Sequence, residues 1–292
     1  MVSIVTRRLG NGTYYYLQHN IRKGKKHREL YLGKEIPDNI EEVKQEFLLE
    51  FYRQEWTPKV EAIRKKYSED RRNRPRSIRD KDMEAFSIKF TYNTQRIEGS
   101  TLSLRETADL LHDGITPRKP INDTLEAMEH QKLFLEIIRQ KDDLSLETIC
   151  MWHGRLFGKT KGEIAGRIRD FDVRIAVSKF IPPPHQSLSI LLRGFFIWYR
   201  KAKKRFSPVE LAALVHLKFV SIHPFGDGNG RVSRLMINYV LNSAGYPMFD
   251  IGYLDRRSYY NALERASTGK NDVLFLQWFM RRYFKENRLY VR

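Results

Sequence analysis

The stretch "SIHPFGDGNGRVSR" (221–234) decides how this chain is interpreted. It places a histidine, an aspartate, three glycines and two arginines within fourteen residues. Proline and closely spaced glycines are unfavourable inside a helix, yet helix-like sequence lies on both sides. The stretch therefore predicts a functional loop between two helices.

The flanking segments both have the pattern of core helices. Residues 207–222, "SPVELAALVHLKFVSI", begin with a capping serine and a proline at the first helical position. They are apolar nearly all round, which is typical of a buried central helix. After the loop, helical spacing resumes with Val232, Leu235, Met236, Tyr239 and Val240.

The loop has the composition of a phosphate site. Its glycines, at 226, 228 and 230, allow a tight turn that points N–H groups into a concavity. The second helix begins there and adds the positive end of its dipole. Arg231 and Arg234 lie three apart and can form bidentate bonds to further phosphates.

Two further side chains suggest chemistry at that phosphate. Asp227 is an oxygen ligand suited to Mg²⁺ already held by phosphates, and His223 can accept a proton near neutral pH. The alternative is a plain helix–loop–helix turn with a buried, satisfied histidine. The combination of five complementary group types in one loop argues against that alternative.

Other motifs fail on spacing. A calcium-binding EF-hand begun at Asp227 requires glutamate at 238, where the chain has Asn238. The string "GRLFGKT" (154–160) has three residues between its glycines, whereas a Walker A loop requires four. A dinucleotide fingerprint requires a preceding strand, and 207–222 has a helical pattern.

Periodicity predicts a small basic β-meander over residues 1–36, with turns at "GNG" (10–12) and "KGK" (23–25). Residues 37–80 are predicted as a helical linker region in which Pro58 kinks or divides a helix and the arginine-rich run 71–79 is a linker. Residues 81–292 are predicted as a helical domain. Its expected helices cover roughly 81–98, 102–112, 122–140, 145–157, 187–204, 207–222, 229–244, 255–267 and 272–287. The β-branched segment 172–180, "DVRIAVSKF", predicts a short hairpin or an extended flap.

Composition excludes several protein classes. The 292 residues are 41% hydrophobic, which is enough for a sizeable core. The chain contains no run of 18 apolar residues, so no membrane span is predicted. The first residues lack the apolar part of a secretory signal. The single Cys150 excludes a disulfide framework, so we expect a cytoplasmic protein. The net charge of +18 favours anionic partners.

The string "HPFGDGNGRVSR" (223–234) resembles the signature of the Fic family, H-P-F-x-[D/E]-G-N-[G/K]-R-x-x-R, at every specified position. Residues 166–184 and 258–267 resemble the family's flap region and late core helix. The resemblance covers about 81–287. It implies a mainly α fold, with a Fic-type helical core and a short β-hairpin flap, to which this chain adds the N-terminal meander.

The resemblance implies a protein adenylyltransferase that moves AMP from ATP to a Ser, Thr or Tyr hydroxyl of a target protein or of itself. His223 would deprotonate that hydroxyl, and Asp227 would hold Mg²⁺. Asn229 would meet the α-phosphate, Arg231 the β-phosphate and Arg234 the γ-phosphate. The full set of implied nucleotide-binding residues is Gly228, Asn229, Gly230, Arg231, Arg234, Tyr259 and Tyr260, with the two tyrosines near the adenine.

The flap would receive an extended segment of the target by strand addition. Its implied docking residues are Val173, Arg174, Ile175, Ala176, Val177, Ser178, Lys179 and Phe180. After the late helix the family often has "AN-x-GD", whereas this chain has "ASTGKND" (266–272). Transfer from another nucleotide, or another phosphoryl transfer, is therefore an alternative.

A second motif resembles the family's inhibitory sequence [S/T]-x-x-x-E-[G/N]. It is Thr94-x-x-x-Glu98-Gly99, and it would lie at the end of an inhibitory helix over 81–98. Residues four apart share a helix face, and glycine is typical of a helix end. The resemblance implies that Glu98 pairs with Arg234 and fills the space of the γ-phosphate. An exposed glutamate at a helix end is the structural alternative.

Two other functions stay open at this point. A hydrolase that removes AMP would use the same Glu98. Nucleic-acid binding through residues 1–33 would use basic strands with interleaved tyrosines. The expected partners are a target protein with an acceptor hydroxyl and a second copy of the chain in a homodimer, with no membrane partner.

Overall fold

The computed structural model describes residues 2–20, 27–176 and 178–291. The predicted turn at 23–25 lies outside them. An antiparallel sheet consists of β1 (Val2–Leu9), β2 (Gly12–Asn20) and β3 (His27–Gly33), in that order. The helices are α1 (Ile40–Asn73), α2 (Arg76–Ile97), α3 (Leu104–His112), α4 (Ile121–Ile137), α5 (Leu146–Phe157), α6 (Leu188–Ala202), α7 (Pro208–Ile222), α8 (Asn229–Ser243), α9 (Arg256–Thr268), α10 (Asp272–Glu286) and α11 (Arg288–Val291). The prediction of a mainly α fold with a small N-terminal meander is confirmed.

One face of the sheet packs against α1, and α1 packs against the helical core. Side chains alternate across a strand, so Leu17 and His19 share a face, and both are buried. The His19 ring meets the Phe51 ring of α1 edge-on, with the ring centroids 4.8 Å apart. α1 runs through Pro58 without a break, and its next buried side chains are Trp56, Val60 and Ile63. The two predicted domain boundaries stay predictions.

The opposite face of the sheet carries a cluster of tyrosines. The Tyr16 and Tyr31 ring centroids are 5.2 Å apart, and those of Tyr14 and Tyr31 are 6.3 Å apart. The Arg7 guanidinium lies 4.8 Å from the Tyr16 ring centroid, and its Nη2 donates to Glu29 Oε1 at 2.6 Å. That carboxylate lowers the positive charge which a nucleic-acid backbone would meet. Nucleic-acid binding by the meander stays a prediction.

The arginine-rich run 71–79 is helical rather than a linker, which corrects the prediction. Only two residues separate α1 from α2. Arginine is a good helix former, and Arg74 pairs across the junction with Asp70 at 3.0 Å and Asp82 at 2.8 Å. The short break is explained by Pro75, because a proline disfavours the helical conformation of the residue before it.

α7 and α8 lie at the centre of the helical core. Ser207 and Glu210 form a capping box at the start of α7, in which each side chain accepts the other's backbone N–H. Most side chains of α7 are buried, among them Ala212, Val215 and Phe219. A buried helix with a fixed start delivers the loop at its end to a defined position. Within the described residues, no helix combines the length and the hydropathy needed to cross a membrane.

The flap segment 172–180 is extended rather than a hairpin, because its described residues form no strand ladder. Glu264 of α9 holds it instead. The Glu264 Oε2 atom accepts hydrogen bonds from the Ser178 hydroxyl and the Lys179 N–H, both at 3.0 Å. The Ser178 N–H donates to the Ile175 carbonyl at 3.3 Å. Val177 lies outside the described residues.

Candidate active site

An arginine outside the signature holds the loop that follows α7. His223 has a φ of 53°, in the left-handed region that disfavours residues other than glycine. Arg169 Nε donates to the His223 carbonyl at 2.9 Å. Its Nη1 and Nη2 donate to the carbonyls of Phe171 and Pro183, at 2.7 and 2.6 Å. Arg169 thus ties the backbone of His223 to both ends of the flap.

The His223 ring is arranged to act as a base. Its Nδ1 lies 3.2 Å from the Val220 carbonyl, which can only accept, so Nδ1 carries the proton and Nε2 has a free electron pair. Burial lowers the pKa of His223, and the nearby charge of Arg169 acts in the same direction. The neutral form is therefore favoured at physiological pH.

His153 and Asn229 hold the loop from the core side. The His153 ring stacks on Phe225 with the centroids 3.8 Å apart. Its Nδ1 accepts from Gly166 N–H at 2.9 Å, so Nε2 donates to the Asp227 carbonyl at 3.0 Å. Burial lowers the pKa of His153 to about 4, which keeps this ring neutral. The Asn229 amide makes two bonds of 2.9 Å to the Phe225 backbone, so a phosphate would meet the Asn229 N–H rather than its side chain.

Sequence reasoning missed Arg169 and His153. Arg169 lies in "GRIRD" (166–170), and nothing in its own type separates it from 52 other lysines and arginines. The one available signal is its position just before the flap. His153 lies on the apolar face of a helical pattern, where a histidine is usually a core residue. Their roles depend on contacts with residues 54 and 74 positions away.

Glycines leave a space open at the start of α8, and the Glu98 side chain occupies it. A Cβ atom on Gly230 would lie 2.4 Å from Glu98 Oε1, and one on Gly228 would lie 2.3 Å from the Phe157 ring. Gly228 also has a φ of 78°, which favours glycine. The first N–H groups of α8 have no helical partner. The Glu98 carboxylate therefore lies at a cradle that suits an anion.

The partner of Glu98 is Arg234, which is buried beneath the cradle. Arg234 Nη2 donates to Glu98 Oε1 at 2.5 Å, and Arg234 Nε donates to Thr94 Oγ1 at 2.6 Å. Burial opposes the charge on Arg234, but the Glu98 carboxylate outweighs this effect and raises the pKa of Arg234. Gly99 follows with a φ of 101°, and α2 ends there. The two predicted motifs, from α2 and α8, thus meet in one place.

Asp227 and Arg231 belong to a network of two carboxylates and two cations. Asp227 Oδ2 accepts from Lys161 Nζ at 2.7 Å and lies 3.4 Å from Arg231 Nη2. Arg231 also forms an ion pair with Glu126 of α4, and its Nη1 donates to Gln95 Oε1 at 3.2 Å. Burial opposes ionisation of Asp227, but the charges of Arg231 and Lys161 outweigh it and hold the Asp227 pKa below its ordinary value.

The two predicted adenine contacts have different environments. Tyr259 is 1% exposed, its hydroxyl is hydrogen-bonded to His216 Nε2 at 2.9 Å, and it accepts from Arg234 Nη1 at 3.4 Å. The assignment of Tyr259 to the adenine is therefore corrected, because its ring packs in the core behind Arg234. Tyr260 is 45% exposed and donates to the Ile97 carbonyl at 3.2 Å. Only Tyr260 of this pair is accessible to a base.

Asp227 fits a metal that arrives with a nucleotide. Within the part of the chain that the structure describes, no group of three or more His, Cys, Asp or Glu side chains could hold an ion alone. Mg²⁺ commonly binds one or two protein carboxylates together with substrate phosphates. Asp227 has a side chain that is 45% exposed and lies beside the cradle, which suits that arrangement.

Comparison with known proteins agrees with this geometry. Residues 143–241 match the Fic/DOC family. The chain is 33% identical to protein adenylyltransferase fic-1 of Caenorhabditis elegans over 187 residues. This matched region covers 62% of this chain and 36% of that protein. It is 35% identical over 184 residues to protein adenylyltransferase Fic of Nematostella vectensis, which covers 61% and 43%. The chain thus spans less than half the length of these curated relatives.

The fold is also similar to that of a solved protein. The structure of a segment of Fic-1 from C. elegans matches with a TM-score of 0.72 and 25% sequence identity, over 87% of this chain and 78% of that one. The matched family region contains His223 and its cradle on the central helices α7 and α8. This chain therefore carries a domain of the Fic/DOC family.

Proposed function

We propose that this protein is a self-inhibited protein adenylyltransferase. The observation that carries the proposal is a neutral imidazole, His223, beside an anion cradle that already holds a carboxylate, Glu98. A site that accommodates a carboxylate beside the start of α8 and against a buried arginine suits a phosphate of the same charge sign. The curated relatives, which are longer, are named protein adenylyltransferases.

In the proposed reaction His223 Nε2 accepts the proton of an acceptor hydroxyl while the hydroxyl oxygen attacks the α-phosphorus of ATP. The bond from that phosphorus to the bridging oxygen of the β-phosphate breaks, and pyrophosphate leaves with the electron pair. N–H groups at the start of α8 stabilise the charge on the α-phosphate. Arg231 and Arg234 hold the outer phosphates, and a Mg²⁺ on Asp227 would neutralise part of their charge.

The target segment would dock on the flap. The described flap residues form no ladder with one another, and the N–H groups of Ser178, Lys179 and Phe180 already have acceptors, so an added strand would pair with the backbone of residues 173–176. Arg169 binds carbonyls at Phe171 and Pro183, on either side of this segment. The acceptor hydroxyl would thereby reach the flap edge at a fixed distance from His223. Association of two copies stays a prediction.

Inhibition would come from competition between Glu98 and the γ-phosphate for Arg234. The arginine is buried and its Nη2 and Nε groups are taken by Glu98 and Thr94. A γ-phosphate that cannot reach Arg234 leaves the α-phosphorus misaligned for attack, and misplacement of this kind slows catalysis strongly. Release of Glu98 would open the site.

Mass spectrometry after incubation with ATP and Mg²⁺ tests the proposal. We expect a mass gain equal to AMP on a hydroxyl residue, and its complete loss in His223→Ala. His112→Ala is the matched control, because His112 is exposed on α3 and far along the chain from the signature. Absence of the AMP adduct from both the wild type and a Glu98→Gly variant would reject the proposal. Loss of AMP from a modified target, dependent on Glu98, would instead favour hydrolysis.

A further inference from the structure

A lysine lies on the carboxylate that the proposed function assigns to Mg²⁺. Lys161 Nζ is 2.7 Å from Asp227 Oδ2. The backbone of Lys161 is fixed at the end of α5, where its N–H donates to the Phe157 carbonyl at 2.7 Å. The long side chain thus brings a positive charge to the oxygen where a divalent cation would bind.

The same ammonium group has a second carboxylate within reach. Lys161 Nζ lies 3.2 Å from Glu126 Oε1, and that oxygen also accepts from Thr160 Oγ1 at 3.0 Å. Glu126 is only 11% exposed and also pairs with Arg231. Lys161 can therefore leave Asp227 without losing its counter-charge. A small movement of one flexible side chain would exchange one carboxylate for the other.

The contact with Asp227 contributes little to holding the fold together. The side chains of Lys161 and Asp227 are 31% and 45% exposed, and ion pairs in such positions stabilise proteins weakly. The effect of the Lys161 charge on the binding of a second cation at Asp227 is much larger, because like charges at van der Waals distance repel strongly in a partly buried site. The position of Lys161 thus has a greater consequence for metal binding than for stability.

We propose that Lys161 competes with Mg²⁺ for Asp227 and moves onto Glu126 when the metal–nucleotide complex binds. The inference rests on the proposed function of the site. In the empty site Lys161 neutralises Asp227, so the carboxylate does not repel incoming phosphates. In the loaded site the metal replaces it, and the concentration of free Mg²⁺ sets how readily the nucleotide is accommodated.

Nucleotide binding as a function of free Mg²⁺ tests this inference without catalysis. The variants are made in Glu98→Gly protein, and calorimetry follows binding of α,β-methylene-ATP, which cannot release pyrophosphate. In Lys161→Met we expect the half-saturating Mg²⁺ concentration to fall about tenfold, which corresponds to ~1.4 kcal/mol. In the presence of EDTA the same variant should bind the nucleotide more weakly than its parent, because Arg231 is then, among the residues that the structure describes, the one cation left to balance both Asp227 and Glu126.

Two control variants separate charge from general disturbance. Lys161→Arg keeps the charge and should keep the Mg²⁺ dependence of the parent. Lys159→Met removes a lysine that pairs with Glu129 instead of Asp227, and it should have no effect. An unchanged or higher half-saturating Mg²⁺ concentration in Lys161→Met overturns this inference and leaves the proposed function standing. Failure of the Glu98→Gly parent to bind the nucleotide at any Mg²⁺ concentration would overturn the proposed function as well.

Discussion

Two glutamate–arginine pairs join the helices before the signature to α8, and they differ in how firmly each glutamate is held. Glu98 pairs with Arg234 and Glu126 pairs with Arg231, and both arginines are buried. Glu98 caps the C-terminus of α2, and its side chain is 25% exposed. Glu126 lies within α4 and is 11% exposed, with further bonds from Thr160 and Lys161.

The two ion pairs differ in how easily each can break and form again. A carboxylate at a helix end can swing into water and recover its hydration, so the cost of breaking its ion pair is limited to the arginine left behind. A carboxylate in the middle of a packed helix has no such path, so breaking its ion pair would leave both the carboxylate and the arginine buried. The same ion-pair chemistry is therefore suited to regulation at Glu98 and to permanent positioning of Arg231 at Glu126.

The largest effect should come from Glu126→Ala. Removing one partner of a buried ion pair costs about 3–5 kcal/mol, so we expect a loss of this order in the free energy of unfolding, measured with urea. The matched control is Glu136→Ala on the same helix, where the partner Arg155 is exposed and a change of less than ~1 kcal/mol is expected. Equal losses in the two variants would show that Glu126 has no special structural role.

Asp250 makes the attachment of α2 dependent on pH. Its Oδ2 accepts from Asn93 Nδ2 of α2 at 2.6 Å. Burial raises the pKa of Asp250 to about 7, although the Asn93 bond and the charge of Lys89 act against this and Glu286 acts with it. Between about pH 4 and pH 7 the folded protein therefore keeps a proton on Asp250 that the unfolded chain, with a carboxyl pKa near 3.8, has already released.

It follows that stability contributed by protonated Asp250 is complete below about pH 4 and is lost as the pH rises to about 7, with no further loss above. One pKa unit corresponds to ~1.4 kcal/mol, so the shift from 3.8 to about 7 corresponds to a loss of about 4 kcal/mol. Asp250→Asn should abolish this part of the pH dependence when urea unfolding is compared at pH 4.5 and 8. The exposed Asp38→Asn should keep it. Parallel curves for the wild type and Asp250→Asn would contradict the prediction.

Glu98→Gly tests the releasable pair directly. We expect self-modification with labelled ATP to rise by about 10- to 100-fold, the range of typical coupling between two sites. Glu84→Gly is the matched control, because it places a glycine in the exposed part of the same helix and breaks only a pair with His112. A rise of the same size in both variants would mean that loosening α2, rather than removing the carboxylate, activates the protein.

Most of the helical core could be predicted from sequence because its signals are local. Ser207 before Pro208 marks the start of α7, and the apolar period of Val232–Val240 marks α8, so their bounds follow within a residue or two. The charge of the run 71–79 predicts a linker, but arginine favours helix and Pro75 makes only a short break. The flap alternates like a strand, but its partner is the Glu264 carboxylate, which no local pattern indicates.

The candidate site was predictable only where its residues lie in one of two short motifs, 94–99 and 223–234. His223, Asp227 and the two arginines of α8 lie within twelve residues, so one motif brings them together. Their supporting partners come from elsewhere in the chain: Glu126, His153, Lys161 and Arg169. A glutamate in α4 or a lysine after α5 has no property that distinguishes it from a surface charge until tertiary packing places it against α8. Tyr259 shows the converse, because the family resemblance implies a binding role while its ring is buried.

The smallest effect should come from separating the two side-chain contacts that α2 and its C-cap make with Arg234, those of Thr94 and Glu98. Thr94 is buried, and its hydroxyl accepts from Arg234 Nε at 2.6 Å. Thr94→Val keeps the shape but removes that acceptor, so Arg234 and α2 should be held less firmly while Glu98 stays in place. We expect self-modification to rise about threefold, equivalent to the ~0.5–1 kcal/mol of one modest hydrogen bond. Thr94→Ser keeps the hydroxyl and should match the wild type. A rise in Thr94→Val as large as that in Glu98→Gly would mean that the hydroxyl, rather than the carboxylate, controls access to the cradle.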